Sequence, residues 1–291
     1  MKYIVVTGGA GFIGSNLISS LLNNGYKNII SLDNYSTGNI KNHIKNLNVK
    51  YINSDTKNFY KVFRKYKKKI KVIFHFGEFS RIAHSFKNYG DCFNSNIKGS
   101  YEVIKFCLDN NIKIIYSATS ASLGNLGQDQ NLSPYAHSKS HNMNLIMNMH
   151  DWFGLKYEII YFYNVYGPNQ ISNGNMAAVV GIFEYCYKNN KSLPVVRPGT
   201  QTRRFTHVQD TVDACIYVWK KNLNRHYSIS SKTTYSIIKL ANLFKKKIKF
   251  VPERRGERFK STLIKKIRNY NIINLKGNKT LKKYVEQFKK I

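Results

Sequence analysis

The first half of the chain alternates between short apolar runs and amphipathic stretches. Residues 3–7 form one such run, followed by a glycine-rich segment and then by apolar positions at helical spacing over 15–22. That order predicts strand, turn and helix. Further apolar runs at 29–33, 49–53, 72–75, 113–117 and 157–161 predict strands with helical stretches between them. Alternation of this kind implies right-handed crossovers and an α/β fold built on a doubly wound parallel sheet. After Pro168 the rhythm fades. There the pattern predicts a helix over 176–187, a strand over 193–196, a helix over 210–221, a strand over 227–229 and a helix over 237–244.

The turn after the first strand carries Gly8, Gly11 and Gly14 at G-x-x-G-x-x-G spacing. In this setting the first glycine permits the tight turn, the second lets backbone approach a pyrophosphate, and the third lets the helix close on the strand. The phosphates would meet the free N–H groups at the helix start. The second strand ends in Asp33, the acid expected about twenty residues on. A carboxylate there bonds the adenosine ribose hydroxyls and repels a 2′-phosphate, which favours NAD over NADP. Asp55, just past the third strand, is placed to meet the adenine. Phe76 and Gly77 follow the fourth strand, where backbone passes close to the cofactor. Glu78, next to them, stays open between a site residue and a solvent-facing loop carboxylate.

Tyr135 and Lys139 are four residues apart in Ser133-Pro134-Tyr135-Ala136-His137-Ser138-Lys139, and Pro134 suits a helix start. On a helix the two side chains share a face. A phenol titrating near ~10 is a poor base at neutral pH, and an ammonium beside it is expected to favour the phenolate. The spacing alone is weak, since Tyr60/Arg64 and Tyr101/Lys105 are similar pairs best read as solvated helix faces. The hydroxyl-rich run 117–122 lies past the fifth strand, where an open sheet binds its ligand. With Thr119 from that run, the set becomes hydroxyl, phenol and ammonium, suited to moving a proton on and off a carbinol.

The six ordered motifs are residues 7–14, Leu32-Asp33-Asn34, Asn96-Ile97-Lys98-Gly99-Ser100, Tyr135-x-x-x-Lys139, 163–168 and 201–208. On these motifs the chain resembles the extended short-chain dehydrogenase/reductase family, and within it the nucleotide-sugar epimerases. The resemblance covers residues 1–261. It implies a Rossmann domain over 1–165, with 205–225 returning to it. A smaller α/β domain over 166–204 and 226–291 would close over a nucleotide-diphosphate sugar, UDP-sugar favoured. NAD would be held by Gly8, Gly11, Phe12, Ile13, Gly14, Asp33, Asn34, Asp55, Phe76, Gly77 and Lys139. The resemblance makes Tyr135 the acid/base, Lys139 its partner and Thr119 the group that bonds the sugar hydroxyl. Asn164, Arg203 and Arg254 fall to the diphosphate and Glu257 to the nucleotide ribose. Ser261 stands where a large aromatic would restrict the sugar, so an N-acetyl group has room. A homodimer is implied as well.

The implied reaction is C4 epimerisation of a UDP-hexose or UDP-N-acetylhexosamine through a 4-keto intermediate. A nucleotide keto-sugar reductase, or epimerisation at another carbon or on another nucleotide sugar, remains the alternative. Related 4,6-dehydratases carry Thr-Asp-Glu where this chain has Thr119-Ser120-Ala121, and related decarboxylases carry Glu in place of Ala121. Both activities are therefore disfavoured. The span from Thr119 to Tyr135 is shorter than usual, Arg204 replaces a common Asp, and 265–291 match no part of the pattern.

Composition changes the picture in two places. Four scattered cysteines lack metal-type spacing, and no apolar run reaches membrane-spanning length, so a cytoplasmic chain without a bound metal is expected. The 47 Lys and Arg outnumber 15 Asp and Glu, a formal charge of +32 that invites a nucleic-acid partner. The lysines are spread along the chain, and Asn, Ile and Tyr, which share A/T-rich codons with Lys, are enriched too. Codon bias accounts for this without a nucleic-acid partner, while a basic field still collects an anionic substrate.

Overall fold

The computed structural model describes residues 2–123, 130–256, 259–261 and 263–290. Its main sheet uses β1 (Tyr3–Thr7), β2 (Ile29–Asp33), β3 (Val49–Asn53), β4 (Ile70–His75), β5 (Lys113–Thr119) and β6 (Tyr157–Phe162). Short strands follow: β7 (Val165–Tyr166), β8 (Leu193–Val196), β9 (Thr202–Arg204) and β10 (Thr206–His207). The remaining strands are β11 (His226–Ser230), β12 (Thr234–Ser236), β13 (Ile248–Val251), β14 (Lys266–Ile267) and β15 (Tyr270–Lys276). The nine-stranded sheet runs β14-β15-β11-β6-β5-β4-β1-β2-β3, parallel except for the edge pair β14–β15. The order reverses between β1 and β4, which sets a crevice at their carboxyl ends.

Alternation along each strand sorts side chains to the two faces. In β1, Ile4 and Val6 join one apolar layer and Val5 joins the other. Helices Phe12–Asn23 and Val208–Lys221 cover the first face through Leu17, Ile18, Val212 and Cys215. Helices Phe59–Phe63, Ser100–Asp109 and Pro134–Phe153 cover the second. Met143, Ile146 and Met147 of the long helix are buried in that second layer, so packing on the sheet accounts for them. A third core joins helices Val179–Lys188, Ile237–Phe244 and Leu281–Phe288 to β8 through Phe183, Val195, Leu240 and Val285.

The division expected at residue 226 differs from the strand pairing. All five residues of β11 are buried, and β11 pairs in parallel with β6 and with β15. Residues 226–230 and 266–276 thus extend the large sheet, while 237–251 and 281–288 belong to the smaller core. Strand β15 escapes a hydropathy reading because only Ile272 of its seven residues is buried. Cys92, Cys107, Cys186 and Cys215 are buried free thiols. Among the described residues, no helix is long and apolar enough to cross a membrane.

Candidate active site

A cavity of about 810 Å³ lies between the carboxyl ends of the sheet and the smaller core. Gly8, Gly11, Phe12, Ile13 and Gly14 line one end. Gly8 has φ +70°, and a Cβ there would come within 2.9 Å of Gly77 N, so the turns after β1 and β4 touch through backbone. A Cβ on Gly14 would fall 2.1 Å from Gly8 O, which forces glycine where the helix closes on β1. Gly11 caps this helix without any side-chain hydrogen bond, so its first N–H groups are available to an anion. Asp33 accepts from Ala10 N and Tyr35 N, each at 2.9 Å. Burial pushes its carboxyl above the ordinary range, against the bonds from Tyr35 and Ala10. Asn34 donates to Asp55 at 3.0 Å, and both line the cavity with Phe76 and Gly77.

Helix Pro134–Phe153 starts at Ser133, whose hydroxyl accepts from Ala136 N at 3.1 Å. This start turns Tyr135 and Lys139 inward, both buried and both on the cavity wall. Thr119, at the end of β5, accepts from Ala121 N at 3.1 Å and hydrogen-bonds Tyr135. With its oxygen already accepting, Thr119 has its proton to give to the phenol. Burial raises the pKa of Tyr135, Thr119 and Arg81 lower it, and Glu78 raises it.

Lys139 Nζ is held by Glu78 Oε2 and the carbonyl of Ser117, and it sits 4.5 Å from the centre of the Tyr116 ring. Burial pushes this ammonium below its usual range, against the pull of Glu78. The other Glu78 oxygen accepts from Ser100 at 2.9 Å and from Tyr116 and Asn142 at 3.0 Å. Burial opposes charge on Glu78, but Lys139, His75 and the bonds from Lys139 and Ser100 prevail and hold its carboxyl low. Of the two readings left open for Glu78, the solvent-facing one fails.

On the substrate side, Asn164, Arg203 and Arg254 line the cavity. Asn164 adopts φ +36° and donates to Arg204 O at 3.0 Å, while Arg204 itself donates to Ser231 and Lys232 carbonyls. Ser261 is not brought to the wall: it is half-buried beside Thr202, whose hydroxyl accepts from its N–H at 3.4 Å. Its size therefore does not bound this space. Glu257 and loop residues 124–129 lie outside the described residues. Sequence reasoning overlooked Arg81 and Arg255, which also line the cavity; Arg81 Nε donates to Met176 O at 2.6 Å. Their only local signal was positive charge, which is abundant in this chain.

The profile of the NAD dependent epimerase/dehydratase family matches residues 4–230. The chain belongs to this family. A Methanocaldococcus jannaschii protein named "Putative UDP-glucose 4-epimerase" is 31% identical over 266 residues, covering 87% of this chain and 84% of the relative. The solved UDP-glucose 4-epimerase of Thermotoga maritima with UDP-glucose is 26% identical at TM-score 0.81, covering 90% of this chain and 89% of that one. The UDP-N-acetylglucosamine 4-epimerase of Methanobrevibacter ruminantium, in complex with UDP-N-acetylmuramic acid, is 25% identical at TM-score 0.83, covering 99% and 96%. This family member is an NAD-dependent epimerase, and the glycine cradle beside Asp33 fits the cofactor.

Proposed function

We propose that this epimerase inverts C4 of a UDP-hexose or UDP-N-acetylhexosamine. The observation that carries the reading is the hydrogen-bonded Thr119–Tyr135 pair on the wall of a cavity whose far end is the glycine cradle. Tyr135 removes the proton of the C4 hydroxyl, and Thr119 orients that hydroxyl and shares the charge. Bound NAD supplies a hydride acceptor and donor. Rotation of the resulting 4-keto sugar presents its other face, and Tyr135 returns the proton to the inverted alcohol. Arg203 and Arg254 supply charge and fork geometry for the diphosphate, and Asn164 lines the same cavity. Related enzymes acting on both plain and N-acetylated hexoses support the substrate class.

The test is incubation with UDP-glucose, UDP-galactose, UDP-GlcNAc and UDP-GalNAc, with and without added NAD, read by NMR at the anomeric proton. Interconversion within one pair is expected. Replacing Tyr135→Phe should cut turnover by about 10²–10⁴-fold with the fold intact. Unchanged sugars, or stoichiometric loss of NADH with a keto sugar, would replace this reading with net reduction or another carbon.

A further inference from the structure

The protons around Glu78 all point one way. Thr7 Oγ1 accepts from Phe76 N at 3.1 Å and Gly77 N at 2.9 Å, so its own proton goes to His75 Nδ1, 2.8 Å away. His75 Nε2–H then donates to Ser100, also at 2.8 Å, and Ser100 donates to Glu78 at 2.9 Å. Tyr116 and Asn142 each donate to the same carboxylate oxygen at 3.0 Å, and the Lys139 ammonium takes the other. A carboxylate that meets donors on both oxygens, with its side chain only 2% exposed, is ionised and has no place for a proton of its own. The chain of bonds starts at the turns that Gly8 and Gly77 bring together and ends on the helix that carries Tyr135.

The cation of this arrangement is placed as deeply as the anion. The Lys139 side chain is only 5% exposed, and its Nζ meets Glu78 Oε2 and the carbonyl of Ser117 over the Tyr116 ring. An ammonium taken out of water sheds its proton unless an anion stays beside it. The titratable groups facing the pair are His75 from β4, Cys92 from helix Tyr89–Phe93, Tyr116 from β5, and Tyr135 one turn away on the same helix as Lys139. Burial pushes His75 down to about 4 and raises the thiol and both phenols, so each is neutral at rest at working pH. Arg81 adds a positive charge beside Tyr135. Of the groups named, Glu78 is the one whose charge opposes that of Lys139.

We propose that Glu78 is a positioning residue, the counter-ion that keeps the Lys139 ammonium charged and pins it against Ser117 O on the catalytic face. The inference rests on the proposed role of Tyr135 for its consequence alone: a charged Lys139 one helical turn away favours the phenolate. Glu78→Gln keeps the shape and removes the negative charge. The ammonium is then buried without its counter-ion and gives up its proton at a lower pH.

The test is a pH titration of Lys139 by NMR of its side-chain nitrogen, the resonance being assigned by its loss in Lys139→Arg. Glu78→Gln should move the Lys139 midpoint down by at least about one pH unit, tenfold in ionisation constant. The alkaline limb of kcat for epimerisation should move down with it, a readout that loss of packing alone leaves in place. A smaller shift of the midpoint, or an alkaline limb that stays put while the midpoint moves, overturns the proposal. Should Glu78→Gln fail to fold, the double variant Glu78→Gln/Lys139→Met decides, since removal of both charges relieves the buried imbalance. Recovery of cooperative unfolding is expected. A double variant that also fails to fold would show that Glu78 holds shape rather than charge, and the proposal falls. Absence of epimerisation by the parent would sink the proposed function, yet the titration would still decide whether Glu78 holds the charge on Lys139.

Discussion

His75 and His226 are sealed in the interior with neutral hydrogen-bond partners, His75 between Thr7 and Ser100 and His226 against Tyr161 at 2.9 Å. Burial pushes each from 6.5 down to about 4. Above about 6.5 both histidines are neutral folded or unfolded, so their folded environment costs nothing. Between 6.5 and about 4 the unfolded chain binds protons that the folded chain refuses, so stability rises with pH and is lost as pH falls. Each contributes on the order of 3 kcal/mol across that window. Asp33 and Glu184, raised by burial, act in the opposite sense over the carboxylate range. Denaturant unfolding at a series of pH values should show a falling free energy from pH 7 to pH 5. A flat curve there would mean that one or both imidazoles accept a proton inside the fold.

At the scale of elements, the closest approach in the cofactor half is that of helix Phe12–Asn23 to the turn after β1. Gly14→Ala would drive a Cβ into the carbonyl of Gly8, and both atoms belong to backbone that cannot yield locally. A loss of about 2–3 kcal/mol is expected, with weaker NAD binding, by thermal unfolding and cofactor titration. Gly90→Ala is the control: it meets nothing within 4 Å in helix Tyr89–Phe93 and should stabilise by about 0.5 kcal/mol or more. Equal effects of the two would show that crowding at Gly14 is relieved by movement. These elements were legible beforehand for a physical reason. Strands β1, β2, β3 and β8 match their predicted runs residue for residue; β1 and β2 are interior parallel strands buried on both faces, so they carry no polar alternation, whereas edge strand β3 shows it at Lys50 and Asn53. Strand β15 lies one strand from the sheet edge amid lysines, and its pattern is diluted accordingly. The cofactor turn and the Tyr135/Lys139 face are local spacings and could be read. The partners of Glu78 lie at 100, 116, 139 and 142, and no local spacing records that convergence.

Over the whole molecule, 47 basic side chains face 15 acidic ones, and several of those acids are spent inside. Asp33, Glu158 and Glu184 are buried, as is the side chain of Glu78. Among the described residues the salt bridges are Lys105–Asp109, Lys113–Glu158 and Lys139–Glu78, and only the first lies on the surface. The exterior therefore carries positive charge with little compensation, and folding must hold it together against its own repulsion. At about 10 mM salt the screening length is about 30 Å, comparable to the molecule, and at about 150 mM it falls to about 8 Å. The unfolded chain spreads the same charge over a larger volume, so screening relieves the folded state more. The melting temperature should rise by at least about 2 °C between those conditions, equivalent to roughly 1 kcal/mol for a chain of this size. Sodium chloride and potassium chloride should give the same rise, since the effect depends on ionic strength alone. A melting temperature that stays level or falls with salt would mean that attractive surface pairs outweigh the repulsion. The surplus would then be organised, and compositional bias would no longer account for it.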